Sequence, residues 1–373
     1  MSNQFNEKTA EVDQHKIKCK GCAAFLTYEP GTTHLKCQYC GDANEIKAER
    51  AQVEEIDFES FIAQKMDAGQ MQEISTVKCD GCGASTTLKP NITSDACPFC
   101  ATPLVIKNGT TSSIIRPKYT LPFKIDRKKA DQLFIGWVGG LWFAPSDLKA
   151  YASRTTDKLN GMYLPYWTYD SKTYSSYSGQ RGDHYYVTES YSTTENGQEV
   201  TRTREVQKTA WTFVTGYVHN TFDDILVCAS KALPDEMTRS LEPWDLPELV
   251  DHNDAFLSGF KAESYQVGVK DGFDVAKGVM KPEIEKTIMN DIGGDVQRVD
   301  NVDTQYNDVS FKHILLPMWI SAYRYNEKVY RFLINARTGE VQGERPYSAM
   351  KIFLFVLSIL IVIAAAVYFW KKQ

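Results

Sequence analysis

The chain has 373 residues, which is too long for one small domain and predicts two or three folded units. Its 47 acidic residues outnumber its 42 basic residues, and the formal net charge is −5. This balance excludes a global basic field that would attract nucleic acid or an anionic membrane surface. Residues 1–15 are polar, and we expect them to be disordered.

Two matching groups of four cysteines follow. In the first group, fourteen residues separate one C-x2-C pair from another, and the whole pattern returns sixty residues later. Flanking Lys, Gly, Ala and Pro residues recur at the same offset, and Tyr39 corresponds to Phe99. The repeat therefore predicts two zinc ribbons, at residues 16–48 and 74–108. The predicted metal ligands are Cys19, Cys22, Cys37, Cys40, Cys79, Cys82, Cys97 and Cys100.

The cysteine spacing suits structural zinc, which takes four thiolates in a tetrahedron. We expect Gly21 and Gly81 to relax the backbone in the turn of each first pair. A unit of about thirty residues buries too little apolar surface to fold alone, so the metal would supply its folding energy. Disulfides would need an oxidising compartment, and we recognise no signal peptide. A thioredoxin-like site would need one C-x-x-C beside a βαβ pattern, whereas iron on four thiolates stays an alternative to two zinc ions.

Residues 49–73 are predicted to form a helical spacer between the ribbons, because their apolar residues recur at helical spacing. Residues 109–348 are predicted to form an aromatic-rich α+β domain with an antiparallel sheet. Within it we expect a polar loop at 178–183 and a hairpin at Glu195-Asn196-Gly197. A long helix is predicted from Gly272 to Asn290, in which Pro282 favours a break or a restart.

The motif L-P-x-W occurs twice in this domain, at Leu164-Pro-Tyr-Trp167 and at Leu316-Pro-Met-Trp319. The two copies could mark two related β-units. We favour the simpler interpretation, in which both prolines start strands and both tryptophans belong to the core.

The last apolar run, 352–370, has nineteen residues, no charge and one serine. At 1.5 Å per residue it nearly spans a hydrocarbon core of about 30 Å. Tyr368, Phe369 and Trp370 resemble an aromatic interface belt, and Lys351 marks the other end. The sequence therefore predicts a transmembrane tail anchor at 350–371. Thiolate zinc sites need a reducing compartment, so we expect a single-pass protein of the plasma membrane whose bulk is cytoplasmic.

We recognise no catalytic motif in the sequence. It contains no G-x-x-x-x-G-K-[ST] phosphate loop, no G-x-S-x-G and no H-E-x-x-H. The predicted zinc sites are closed by four thiolates and leave no position for a reactive water. We therefore predict a protein that is not an enzyme.

Several features of the sequence together resemble a known family. They are the doubled cysteine repeat, the terminal apolar helix and the motifs F-L-S-G-F-K-A-E at 256–263, L-L-P-M-W-I at 315–320 and N-A-R-T-G-E-V-Q-G-E-R-P at 335–346. The chain resembles a bacterial family of membrane-anchored tandem zinc-ribbon proteins. That family is often labelled primosomal protein N′-like or replication-factor-Y-like helicase after its ribbons, although this sequence lacks a nucleotide-binding motif. The resemblance implies an inner-membrane adaptor whose partners are PspA-like or SPFH-like membrane-stress proteins.

Two hypotheses of different classes follow. The first is a scaffold that recruits protein partners to the membrane, where tethering raises their local concentration. The second is a nucleic-acid-binding ribbon protein related to replication helicase modules, although the acidic chain and the anchor count against it. A redox sensor that releases zinc on oxidation is a third idea.

Overall fold

The structure is a computed structural model. It describes residues 17–47, 54–63, 71–80, 84–87, 94–97, 99, 102–105, 110–148, 159–195, 198–326 and 328–372. Helices occur together with sheets that are mostly antiparallel, so the chain is α+β, as predicted. The segment 1–15, which we expect to be disordered, lies outside the described residues.

The described elements are seventeen strands, five α-helices and two short 3-10 helices, Leu246–Glu248 and Asp254–Leu257. The strands are β1 Leu26–Tyr28, β2 His34–Cys37, β3 Ala43–Glu45, β4 Ile56–Asp57, β5 Met71–Lys78, β6 Ser85–Thr87, β7 Ser94–Ala96, β8 Pro103–Val105, β9 Thr110–Ile115, β10 Tyr119–Thr120, β11 Asn160–Glu195, β12 Gln198–Cys228, β13 Val250–Asp251, β14 Lys261–Ala262, β15 Val296–Tyr325, β16 Lys328–Asn335 and β17 Val341–Gly343. The helices are α1 Phe58–Ala63, α2 Arg127–Gly140, α3 Asp235–Arg239, α4 Val269–Ile292 and α5 Ala349–Lys372.

A nine-stranded sheet forms the body, with the strand order β12-β11-β15-β10-β13 along its main path. Its centre is β11, which has 36 residues and pairs with β15 from Asn160 to Gly182 and with β12 from Tyr166 to Glu195. Beyond Gly182, in the part of the chain that the structure describes, β11 pairs with β12 alone. Glu195 pairs with Gln198, as the predicted hairpin requires, while Asn196 and Gly197 lie outside the described residues.

The predicted polar loop at 178–183 is wrong, because β11 runs through it without interruption. Two glycines there serve close packing rather than a turn. A side chain at Gly179 would meet the Arg298 carbonyl oxygen at 2.4 Å, and one at Gly182 would meet Val296 at 2.5 Å and the Trp211 ring at 3.0 Å. Glycine in a strand often marks such a close approach.

Helix α4 packs across the sheet and confirms the predicted long helix, but it does not break at Pro282. Its buried residues recur at helical spacing and face the strands; they are Phe273, Ala276, Met280, Ile284 and Ile288. Pro282 lies on the exposed side, and the carbonyl that loses its donor belongs to exposed Gly278, four residues earlier. Water can satisfy that carbonyl while the apolar face holds the helix together.

The two L-P-x-W motifs face each other on β11 and β15, where Leu164 pairs with Leu316. Both tryptophans are buried, as predicted, with exposed fractions of 0% for Trp167 and 5% for Trp319. Their indole Nε1 atoms donate to backbone carbonyls at 2.8 and 2.9 Å. Both prolines lie inside their strands, so the expectation that they start strands is wrong.

The predicted spacer helix is present only over Phe58–Ala63 among the described residues of that segment. Ile56 and Asp57 form β4 instead and pair with Phe311 and Ser310 of β15. These two residues pair with β15 in an extended conformation, although the spacing of the apolar residues around them favours a helix.

The two cysteine-rich units pack on opposite faces of the sheet. Buried residues of 17–47 join a core with Tyr163 and Trp319, whereas buried residues of 79–99 join a core with Met162 and Ile320. Successive residues of a strand point to opposite faces of a sheet. Met162 and Tyr163 are successive residues, so the two cores lie on opposite faces.

Candidate metal centre

The first cysteine unit is a three-stranded antiparallel sheet, β1-β2-β3. One tight turn precedes β1, and a second lies between β2 and β3. Each turn follows a buried cysteine and has the same backbone bonds. The N–H of Cys19 donates to the Ala24 carbonyl at 2.7 Å, and the N–H of Cys37 donates to the Asp42 carbonyl at 2.8 Å. The turns bring the second cysteine of each pair back beside the first.

The glycine expected to relax the first turn, Gly21, is not the residue with the unusual backbone. Ala23 has φ 59° and Gly41 has φ 78°, and these are the equivalent fourth residues of the two turns. Each donates its N–H to the carbonyl of the cysteine that opens its turn, at 2.9 and 3.0 Å. The left-handed conformation is therefore required two residues after Gly21.

The four thiols Cys19, Cys22, Cys37 and Cys40 form a compact group, with all Sγ atoms within 4.8 Å of one another. Sγ of Cys19 lies 3.6 Å from that of Cys40, and Sγ of Cys22 lies 3.5 Å from that of Cys37. A tetrahedron with metal–sulfur bonds of about 2.3 Å has edges of about 3.8 Å. The thiols therefore fit a tetrahedral ion, and this cluster can hold a metal.

Backbone amides around the cluster favour thiolates. The N–H of Cys40 donates to Sγ of Cys37 at 3.5 Å, and the N–H of Gly21 donates to Sγ of Cys19 at 3.4 Å. The bond from Cys40 is the main cause that lowers the pKa of the Cys37 thiol to about 6. A thiol that ionises near neutral pH is a ready metal ligand.

Of the second predicted group, the structure describes Cys79 and Cys97, whereas Cys82 and Cys100 lie outside the described residues. Both described cysteines are buried. The N–H of Cys79 donates to the Ala84 carbonyl at 2.8 Å, and the N–H of Cys97 donates to the Thr102 carbonyl at 2.9 Å. These bonds span the same number of residues as those of Cys19 and Cys37.

A second cluster of possible ligands escaped the sequence analysis. Carboxylate oxygens of Glu55, Asp170 and Asp223 lie within 4.8 Å of one another. The side chain of Lys312, which is 4% exposed, already occupies this region, with Nζ 3.2 Å from Glu55 and 2.6 Å from Asp224. The cluster is therefore neutralised in part by a buried ammonium group. Its members come from distant segments, so no local pattern could have revealed it.

The structure also brings together Thr120, His252 and Asp254. The Thr120 Oγ1 lies 2.7 Å from Nδ1 of His252, whose Nε2 lies 3.3 Å from Asp254. This order of groups occurs in nucleophilic catalysis. Thr120 has no exposed surface, however, so its hydroxyl cannot meet a substrate here. The arrangement ties β10 to the loop after β13.

The C-terminal helix α5 is long and apolar enough to cross a membrane, and its apolar window has no buried residues. This confirms the predicted apolar helix at that position. Lys351 in its first turn contacts the loop after α2, whereas the aromatic residues near its end are exposed.

The chain is similar to the uncharacterized protein YdjG of Bacillus subtilis (strain 168). The two are 27% identical over 243 residues, which cover 65% of this chain and 67% of that protein. No family model matches the chain, and no solved structure matches it.

Proposed function

We propose that this protein is a non-enzymatic adaptor, stabilised by zinc and anchored by α5 in a bacterial inner membrane, which holds a protein partner at that membrane. The proposal combines three features: the cysteine units, the apolar helix and the exposed aromatic face of the long sheet. The resemblance of the sequence to membrane-anchored zinc-ribbon proteins makes PspA-like or SPFH-like proteins the expected partners.

Two structural zinc ions are part of the proposal. The first cluster has four thiols at tetrahedral spacing, and thiolates are the ligands that zinc prefers in closed sites. The shared turn bonds at Cys79 and Cys97 support a second site of the same kind. Cysteine zinc sites need a reducing compartment, so both units would lie in the cytoplasm.

The observation that carries the adaptor function is the open face of β11 and β12. Helix α4 covers the opposite face, which buries Thr173, Ser175 and Val218. On the open face, Tyr174 is 50%, Phe213 68% and Tyr217 78% exposed. The register puts all three on one side, since His219 pairs with Tyr174, Tyr217 with Ser176 and Phe213 with Gln180. Grouped exposed aromatic residues are typical of interaction surfaces.

The same face continues onto the two-stranded ribbon, 183–195 paired with 198–210, which extends about 40 Å at 3.3 Å per residue. Tyr186 on this ribbon is 66% exposed. An isolated two-stranded ribbon is only marginally stable in water. A partner that packs on the open face of the ribbon would remove Tyr186 from solvent and stabilise the ribbon.

A paired-variant experiment tests the adaptor function. Full-length protein with Phe213→Ser and Tyr217→Ser is purified from detergent-solubilised membranes after crosslinking, and bound proteins are identified by mass spectrometry. Because aromatic residues often dominate interface energies, we expect recovery of the specific partner to fall about ten-fold or more. The matched control, Tyr185→Ser with Tyr191→Ser, changes exposed aromatic residues on the other face and should keep wild-type recovery.

If both double variants recover every bound protein at the wild-type level, an adaptor role for the open face is contradicted. Recovery of DNA or replication proteins in place of a membrane-associated protein would instead favour the nucleic-acid hypothesis.

A further inference from the structure

We infer that the loop after α2, residues 141–148, is a second membrane contact, in which Trp142 enters the lipid interface beside the first turn of α5. This inference rests on the membrane anchoring in the proposed function. This second contact would hold the folded body against the bilayer surface, whereas the helix alone would only tether it to the membrane.

The loop is fastened to the beginning of α5 by two hydrogen bonds. The backbone N–H of Ser348 donates to the Phe143 carbonyl at 2.7 Å. The ammonium group of Lys351 donates to the Ala144 carbonyl at 2.8 Å. The loop and the helix start therefore move as one unit, and Lys351 is directed at the loop.

The loop also contacts the apolar part of the helix. The ring of Phe143 meets the edge of Phe355, with ring centroids 5.3 Å apart and an interplanar angle of 73°. Phe355 lies three residues inside the apolar run that begins at Ile352, or about 4.5 Å along the helix axis. The run is about 28 Å long against a hydrocarbon core of about 30 Å, so it has little freedom to slide outward. Phe143 must then lie at the edge of the hydrocarbon.

Trp142 precedes Phe143 and is 78% exposed. All seven tryptophans are described, and Trp370, at the other end of α5, is 81% exposed. Trp211, the next most exposed, is 38% exposed and stacks under Arg298 at 4.1 Å. The two most exposed indoles therefore bracket the apolar helix, as in the aromatic belts at the two surfaces of a bilayer. Indole is amphipathic and is favoured at that depth.

The surroundings of Trp142 suit an interface. Tyr347 is 59% exposed, and the guanidinium of Arg345 lies 5.4 Å from the centre of its ring. Aromatic and basic side chains of this kind are enriched at the ends of membrane helices. Asp147, the only carboxylate of residues 141–148, accepts a hydrogen bond from the Tyr325 hydroxyl at 3.0 Å.

Fluorescence quenching in a bilayer tests the inference. Full-length protein is reconstituted into phosphatidylcholine vesicles whose acyl chains carry bromine near the headgroup, which quenches nearby tryptophan. Three variants are compared with wild type: Trp142→Phe, Trp370→Phe and Trp211→Phe. We expect the first two each to remove about half of the quenchable emission, because each takes away one interfacial indole. Trp211→Phe, the control, should leave the quenchable emission unchanged.

The outcomes separate the loop from the anchor. If Trp142→Phe leaves the quenchable emission at the wild-type level while Trp370→Phe lowers it, the loop does not touch lipid and the inference is overturned, although α5 still spans the membrane. If wild-type emission is not quenched at all, the anchor itself is wrong, and with it the membrane part of the proposed function. Trp142 is mostly exposed, so its replacement by phenylalanine leaves the packed core intact.

Discussion

The two cysteine units repeat one sequence pattern, yet they present it to different surroundings. At the matching position between the last two cysteines, Tyr39 is 86% exposed, whereas Phe99 is fully buried in a core with Leu121 and Leu164. The opening cysteines are buried in both units. A metal-binding repeat can thus keep its ligand turns, and pack both copies against the body, while the residue between the last two cysteines faces solvent in one copy and the core in the other. We expect the second unit to matter more for the stability of the whole protein.

The test with the largest expected effect removes one predicted metal ligand from each unit. Cys37→Ser and Cys97→Ser should each lower the zinc content from about two ions per chain to about one, because a missing thiolate opens a closed site and structural zinc contributes about 10 kcal/mol or more. Cys97→Ser should also lower the stability of the sheet body more than Cys37→Ser does, because the second unit adds the fully buried Phe99 ring to the core. Zinc is measured by atomic emission, and folding by thermal unfolding in detergent.

Cys228→Ser is the control for this test, since Cys228 belongs to neither unit and should keep both ions. Full zinc content in either ligand variant would show that the assignment of that site is wrong. An equal loss of body stability in both variants would remove the difference between the units.

A smaller test leaves the ligands in place and changes only the matching aromatic residues. Phe99→Ala should cost about 3–5 kcal/mol of unfolding free energy, the usual range for a fully buried ring. Tyr39→Ala should change it by about 0.5 kcal/mol or less, because an exposed side chain loses few contacts. Chemical denaturation of both variants in detergent measures the two changes. Similar values for the two variants would contradict the different burial of the two aromatic positions.

The sequence was informative where local chemistry decides the structure. Cysteine spacing predicted the cluster around Cys37, and the uncharged run predicted the apolar helix α5. Periodicity also predicted helix α4. These features depend on residues that are near one another along the chain, so one sequence is enough to find them.

Predictions failed where distant segments decide. Serine and glycine at 178–183 resemble a loop, but strands on both sides supply backbone partners and turn the segment into the middle of a sheet. Pro282 breaks a helix only when its freed carbonyl has no alternative partner, and here it faces water. The contrast between Tyr39 and Phe99 is of the same kind, because burial of this position depends on whether distant residues such as Leu121 and Leu164 pack against it.

The segment that connects the two cysteine units offers the test with the smallest expected effect, which is the dependence of stability on pH. It joins the sheet at Glu55, which accepts from Ser310 and Lys312 beside Asp170. Burial, and then the hydrogen bond to Glu55, raises the pKa of Asp170 to about 7. That hydrogen bond is the main cause that lowers the pKa of Glu55 to about 2. Below about pH 7, Asp170 therefore holds its proton and donates a hydrogen bond to ionised Glu55.

A carboxyl whose pKa is raised by folding contributes stability below its unfolded pKa near 4 and loses it as the pH rises through 7. The amide of Asp170→Asn mimics the protonated carboxyl and cannot ionise. The melting temperature of this variant minus that of wild type should therefore increase as the pH rises from about 5 to about 7, and should level off above that. Asp308→Asn is the control, because Asp308 forms an exposed pair with Lys172 and its φ of 49° suits asparagine. A difference for Asp170→Asn that stays flat with pH, like that of the control, would show that ionisation of Asp170 does not affect the docking of the connection on the sheet.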